Sequence, residues 1–177
     1  MTRKIFFVEG ECEKAFIENM YNKGYDKFTG RKNIEIFNIC YDDVKKVKHK
    51  FAMRDVEIYF VFDTDRLSEN AKNEQNNFMK NFNLLKNMNN KKYFIIQVQN
   101  FEDELVYSCE KLKKKLDLFQ LFDTNSENEF KENFIKQNNR LYKLENEDFD
   151  ISKLWCQETP FILSQYKIKR KQGKDFQ

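Results

Sequence analysis

The chain has 177 residues, of which 40% are apolar, with nineteen Phe and eight Tyr, enough for one domain or one domain with a helical appendage. A net charge of +3, from 32 basic and 29 acidic residues, is too close to balance to imply nucleic acid by itself. Nowhere do about eighteen apolar residues run together, and no long apolar segment lies near the N-terminus, which argues against a membrane span or export and for a cytoplasmic protein.

A single Pro and four Gly predict regular elements joined by short loops. Cys12, Cys40, Cys109 and Cys156 lie far apart with no C-x-x-C pair, which predicts reduced, mostly buried thiols and disfavours a zinc site. His49 is the only histidine, and its basic neighbours place it on the surface, so catalysis built on a Ser-His or Cys-His pair has little to draw on.

Ile5 to Val8 form an apolar run that reads as a strand over 4–9 and stops at Glu9. Gly10 allows a sharp turn into a helix over about 11–23, with Ala15, Phe16 and Met20 on its apolar face. Glu11 and Glu13 fall in the first helical turn, where negative charge suits the helix dipole. That preference does not explain Glu9, which lies i, i+4 from Glu13. A polar loop with Gly24 and Gly30 leads to an alternating strand over 34–40. Asp42 and Asp43 then open a helix to about 54.

Tyr59-Phe-Val-Phe62 ends a strand over 56–63 that reads as covered on both faces. It runs into Asp63 and Asp65, whose i, i+2 spacing puts both side chains on one side of extended backbone. Paired carboxylates repel unless a cation lies between them, so this pair points to a hard divalent ion with oxygen ligands. The plain alternative is a strand ending in a polar turn. A helical stripe of Phe78, Phe82 and Leu85, a strand over 93–98 and a helix opening at Asn100-Phe-Glu-Asp-Glu104 complete a β-α repeat. That repeat predicts a mainly parallel four-stranded sheet with helices on both faces. Sites in such sheets lie at the carboxyl ends of the strands, where Glu9, Asp63, Asp65 and Glu102 would fall.

Composition changes after residue 110, which divides the chain into a 1–110 domain and a 111–177 extension. Residues 125–147 read as a peripheral helix or a semi-ordered loop. Trp155, Pro160 and Phe161 supply apolar mass for docking onto the core. Lys167-Ile-Lys-Arg-Lys-Gln-Gly-Lys174 is a basic cluster, either a solvated end or a phosphate-binding tail. Trp155 and Tyr166 could stack on bases, although core packing suits Trp155 better.

An apolar strand ending in Glu9-Gly10-x-x-Glu13, followed by an apolar strand ending in Asp63-x-Asp65, resembles the Toprim domain over roughly residues 3 to 110. That domain occurs in topoisomerases, bacterial primases, small ribonucleases and the overcoming-lysogenization-defect (OLD) nucleases. Glu13 makes the match closer to the OLD-like and RloB-like branch. The resemblance implies Mg²⁺ or Mn²⁺ held by Glu9, Asp63 and Asp65, with Glu13 and Glu102 available for a second ion. It also implies a further acid after the fourth strand, and both Glu102 and Glu104 fit that position. A lysine near the metals is implied too; the tail offers Lys169 for it, and Lys167, Lys169, Arg170 and Lys171, with Arg66, as contacts to nucleic acid.

The activity implied is metal-dependent cleavage of phosphodiester bonds in DNA or RNA, in a setting of anti-phage or plasmid defence. The chain has no P-loop, so an ATPase would come from a partner protein. Two ions about 3.5–4 Å apart could activate the water and stabilise the leaving oxygen. Three rivals stand beside this reading. A non-catalytic Toprim-like interaction subunit would keep the fold without the chemistry. A haloacid-dehalogenase phosphatase would carry its Asp-x-Asp after the first strand, and Leu67 departs from its pattern. A receiver-type phosphoacceptor domain would not need the Glu-Gly-x-x-Glu sequence.

Overall fold

The computed structural model describes residues 3–25, 32–51, 53, 55–67, 70–88, 90–158, 163 and 168–176. Four strands, β1 (Arg3–Val8), β2 (Lys32–Ile36), β3 (Val56–Asp63) and β4 (Lys91–Gln97), form one parallel sheet in the order β2-β1-β3-β4. Phe6 pairs with Tyr59 and Tyr59 with Tyr93, so the predicted neighbours 4–9 and 56–63 are adjacent and parallel.

Strand alternation sorts the apolar side chains to two faces. Phe6, Val8, Tyr59, Val61 and Ile95 face a core closed by α1 (Glu11–Asn22), α4 (Phe101–Ser108), α5 (Lys115–Leu121), α6 (Glu127–Lys136) and α7 (Arg140–Asn146). Ile5, Phe7, Ile58, Phe60, Phe62 and Ile96 face a second core covered by α2 (Lys48–Phe51), the 3₁₀ turn Val44–Val47 and α3 (Lys72–Lys86). Each buried Phe contributes about 1.5–3 kcal/mol of burial, so both faces hold the sheet. The chain is therefore α/β, with a Rossmann-like sheet compatible with a Toprim arrangement. Among the described residues, no helix is long and apolar enough to cross a membrane.

The connection from β1 runs through α1 to β2, while that from β3 runs through α3 to β4. They leave in opposite directions along the sheet and use opposite faces, as one crossover hand requires. β1 and β3 therefore flank the switch point, where the loops part and leave a crevice.

Three local features differ from expectation. The second strand stops at Ile36 because Asn38 Oδ1 accepts the Cys40 N–H at 2.8 Å and turns the chain away. The helix expected over 42–54 is a 3₁₀ turn followed by the short α2; Asp43 Oδ1 caps the turn by accepting the Lys45 N–H at 2.9 Å. The 125–147 segment is neither peripheral nor semi-ordered. Phe130, Phe134, Leu141 and Leu144 are fully buried. Buried Arg140 ties the carbonyls of Phe134, Ile135 and Ala15 together at 2.8, 2.7 and 3.2 Å.

Residues from Leu112 to Trp155, with Phe176, share the α1-side core with the sheet, while Ile168 packs on the α3 side. Phe94 N–H donates to Lys169 O at 3.0 Å and Phe94 O accepts the Lys171 N–H at 2.9 Å, so this segment lies along the free edge of β4. A Cβ on Gly173 would fall 1.7 Å from Ile151 O, so only glycine permits this close docking. Cys12, Cys40 and Cys109 are buried free thiols, and His49 is exposed.

Candidate metal centre

Seven acidic residues line one cleft of about 340 Å³ at the carboxyl edge of the sheet: Glu11 and Glu127 together with Glu9, Glu13, Asp63, Asp65 and Glu102. Glu9 follows β1 directly, and Glu13 lies one turn into α1. Asp63 is the last residue of β3, Asp65 starts a 3₁₀ turn over Asp65–Leu67, and Glu102 sits in the first turn of α4. The i, i+2 argument for Asp63 and Asp65 supposed extended backbone through both. The chain has already turned at Asp65, yet both line the cleft.

Backbone bonds hold the loops in register. Glu9 Oε1 accepts the Asp63 N–H at 3.2 Å. Buried Thr64 donates its N–H to Gln97 O at 3.0 Å and accepts the Gln99 N–H on Oγ1 at 2.9 Å, while Asp65 N–H reaches Gln99 O at 3.0 Å. Gln99 takes a left-handed φ of 67° to make this junction. Asn100 Oδ1 accepts the Asp103 N–H at 3.2 Å and starts α4, which aims Glu102 inward. At Gly10 a Cβ would approach Glu13 Oε2 to 3.2 Å, so glycine leaves that carboxylate its place.

The electrostatics are those of crowded acids short of cations. Burial pushes Glu9 up to about 8, and Glu13 and Asp65 add repulsion. Burial and the neighbouring Glu102 raise Glu13 to about 7. Asp63 is held well above its ordinary range by burial and by Glu9, Glu13, Asp65 and Glu102 together. Burial raises Glu102 as well, against the pull of Lys131. Asp63 Oδ1 is buried without a hydrogen-bond partner.

Among the described residues, no three acid, Cys or His side chains are drawn close enough together to hold an ion as they stand. Uncompensated like charges are expected to stand apart in this way. The donors nonetheless suit a hard divalent cation: all are carboxylate oxygens, several are desolvated, and one is orphaned.

Glu102 and Glu104, the two acids that fit the position after the fourth strand, stand in different surroundings. Glu104 is fully buried away from the cleft, where it accepts the Val98 and Trp155 N–H groups, each at 2.8 Å, and Gln157 Nε2 at 3.2 Å. It fastens the end of β4 to the C-terminal segment, and Glu102 lines the cleft.

The expected tail cations are dispersed. Lys169 borders a separate cleft with Phe82, Leu85, Phe94 and Lys92. Arg170 Nη2 donates to Trp155 O at 2.7 Å. Lys171 lies over the Tyr93 ring and beside Asp175 Oδ1 at 3.6 Å. Lys167, Tyr166, Pro160 and Phe161 lie outside the described residues. Trp155 is a buried core residue in edge contact with Phe176, not a stacking platform.

Two cations do border the acids. Arg66 lies 3.4 Å from Asp65 Oδ1. Lys131, on α6, has its Nζ 3.8 Å from Glu102 Oε1 and also pairs with Glu127. Burial opposes the Lys131 charge, and those two carboxylates outweigh it, keeping its pKa raised. Sequence reading missed Lys131 because Glu127 and Lys131 form an i, i+4 pair like those on any solvated helix. Family models, characterised proteins and solved structures offer no match to this chain.

Proposed function

We propose that the chain is a divalent-metal-dependent phosphodiesterase acting on nucleic acid. The observation that carries this reading is the crowding of Glu9, Glu13, Asp63, Asp65 and Glu102 into one cleft at the β1/β3 switch point, with pKa values raised by burial and mutual repulsion. Keeping such acids charged together is costly for a fold unless a cation is bound there.

Glu9, Asp63 and Asp65 are the residues that would hold Mg²⁺ or Mn²⁺, with Glu13 and Glu102 adjoining. Bound there, the ion would supply Lewis-acid polarisation of a phosphodiester and a water acidified toward hydroxide. Thr64 and the Glu9–Asp63 hydrogen bond keep the donors from drifting apart. Arg66 and Lys131 would offset the negative charge of a phosphate entering the acidic cleft. The Toprim resemblance adds a cytoplasmic defence setting and a separate ATPase partner to the proposal.

The test is incubation of the protein with labelled DNA and with structured RNA, each with Mg²⁺, with Mn²⁺ and with chelator. Metal-dependent cleavage of either polymer is the expected result. A metal-induced rise in melting temperature with no cleavage of either would favour the non-catalytic interaction subunit instead.

A further inference from the structure

The cleft is lined by an aromatic ring that the fold does not bury. Tyr41 belongs to the loop after β2 and borders the same cleft as the acids, yet it is 49% exposed. A ring kept for the core would be covered, as Tyr59 is at 4%. Nor does Tyr41 hang loose. Its N–H donates to Asn38 O at 3.1 Å, and its carbonyl accepts from Asn77 Nδ2 at 3.0 Å. Burial and the nearby Glu74 carboxylate raise its hydroxyl pKa, and the Arg66 guanidinium lies over the ring, 5.9 Å from its centroid. The ring is thus pre-positioned, with its backbone tied at both N–H and carbonyl and Arg66 against its face.

Arg66 couples this platform to the acids, since its Nε lies 3.4 Å from Asp65 Oδ1. An aromatic ring carrying a guanidinium, beside a site suited to a phosphate, fits a nucleotide whose base stacks while its phosphate enters the cleft. Bases inside a duplex cover each other's faces and offer only edges, so along a duplex this ring finds no base face, whereas an unpaired strand offers one at every nucleotide.

Building on the phosphodiesterase reading, we infer that the substrate is an unpaired nucleic-acid strand and that Tyr41, stiffened by Arg66, is the base-stacking residue that selects it. Ile135 on α6, 39% exposed in the same lining, adds apolar surface for a base.

The test compares wild type, Tyr41→Phe and Tyr41→Ala on a fluorescent single-stranded oligonucleotide and on the same sequence as a blunt duplex, by anisotropy and by cleavage with Mn²⁺. The wild type should bind and cleave the single strand in preference to the duplex. Tyr41→Ala should weaken single-strand binding about tenfold and raise KM more than it lowers kcat, whereas Tyr41→Phe, which keeps the ring, should stay near wild type. Should Tyr41→Ala melt well below wild type, Tyr41→Leu, with similar bulk and no π face, takes its place and should show the same loss. Equal use of duplex and single strand, or an unchanged KM in the ring-less variant, overturns the assignment while leaving the phosphodiesterase reading standing. No binding or cleavage of either polymer by the wild type overturns both.

Discussion

Glu9, at the end of β1, accepts the backbone N–H of Asp63, at the end of β3, on Oε1 at 3.2 Å. This bond joins the two strands that flank the switch point, and it fixes the position of one carboxylate by the backbone of another. It also lowers the Glu9 pKa against the stronger effect of burial, so Glu9 is the acid whose ionisation the fold both resists and assists.

Asp63 is held up by burial and by four neighbouring carboxylates, so its removal should relieve the apo protein. Asp63→Asn keeps the backbone N–H that Glu9 uses and deletes one buried charge. In chelator it should melt no lower than wild type. In Mg²⁺ or Mn²⁺ it should lose the rise in melting temperature that the wild type gains from metal binding. Cleavage should fall to background. Wild-type cleavage by this variant would contradict the proposed chemistry.

The raised carboxyl pKa values set the pH dependence of the metal-free fold. A carboxyl whose folded pKa exceeds its unfolded value holds its proton more tightly in the folded state, so its stabilising effect is present at low pH and is lost as pH rises. Glu9 at about 8 and Glu13 at about 7, against an ordinary 4.5, place that loss between about pH 5 and 8. Metal-free protein should therefore become easier to unfold across this window, and saturating Mg²⁺ should flatten the slope. Glu13→Gln should flatten it in part without metal. Urea midpoints at pH 5, 6, 7 and 8 measure this directly.

The parts most legible in the chain were those where local pattern and tertiary role agree. Ile5–Val8 and Tyr59–Phe62 are uninterrupted apolar runs because both of their faces are buried, and each ends at an acid that the sheet topology carries to one edge. Glu9, Asp63 and Asp65 could therefore be read together. Lys131 and Tyr41 could not, because nothing in a solvated helical pair or a turn aromatic shows that it will close over a cleft built by distant strands. Arg140 is equally hidden in the sequence: nothing local shows that its guanidinium will be buried and satisfied by the carbonyls of Phe134, Ile135 and Ala15.

Glu102 and Glu104 are two residues apart in the chain and should behave as opposites. Glu102→Gln removes a cleft acid whose pKa is raised, so it should leave the metal-free melting temperature equal or higher and weaken the response to metal. Glu104→Ala removes the acceptor for two backbone N–H groups in the interior and should cost about 1–3 kcal/mol, without changing the shape of the metal titration. Parallel melting curves against Mn²⁺ concentration separate the two. A lost metal response in Glu104→Ala at a temperature where the variant is still folded would return it to the metal centre.

The C-terminal cations divide in the same way. Arg170 lies where the C-terminal segment runs along the edge of β4, and its Nη2 holds the carbonyl of Trp155, a buried residue in the left-handed region at φ 58° whose N–H is held by Glu104. A large side chain in that conformation persists only when its surroundings enforce it, at a cost of about 1–3 kcal/mol. Arg170→Ala should release one of its two ties and lower stability by about 1–3 kcal/mol. Lys169 is exposed, and Lys169→Ala should leave the melting temperature within about 0.5 kcal/mol of wild type. If the segment instead binds phosphate, Lys169→Ala should reduce the slope of log affinity against log salt by about one. Anisotropy with a labelled oligonucleotide from 50 to 200 mM salt, on the order of the range where phosphate contacts are read, decides this. An unchanged slope would assign Lys169 to solvation of the β4 edge.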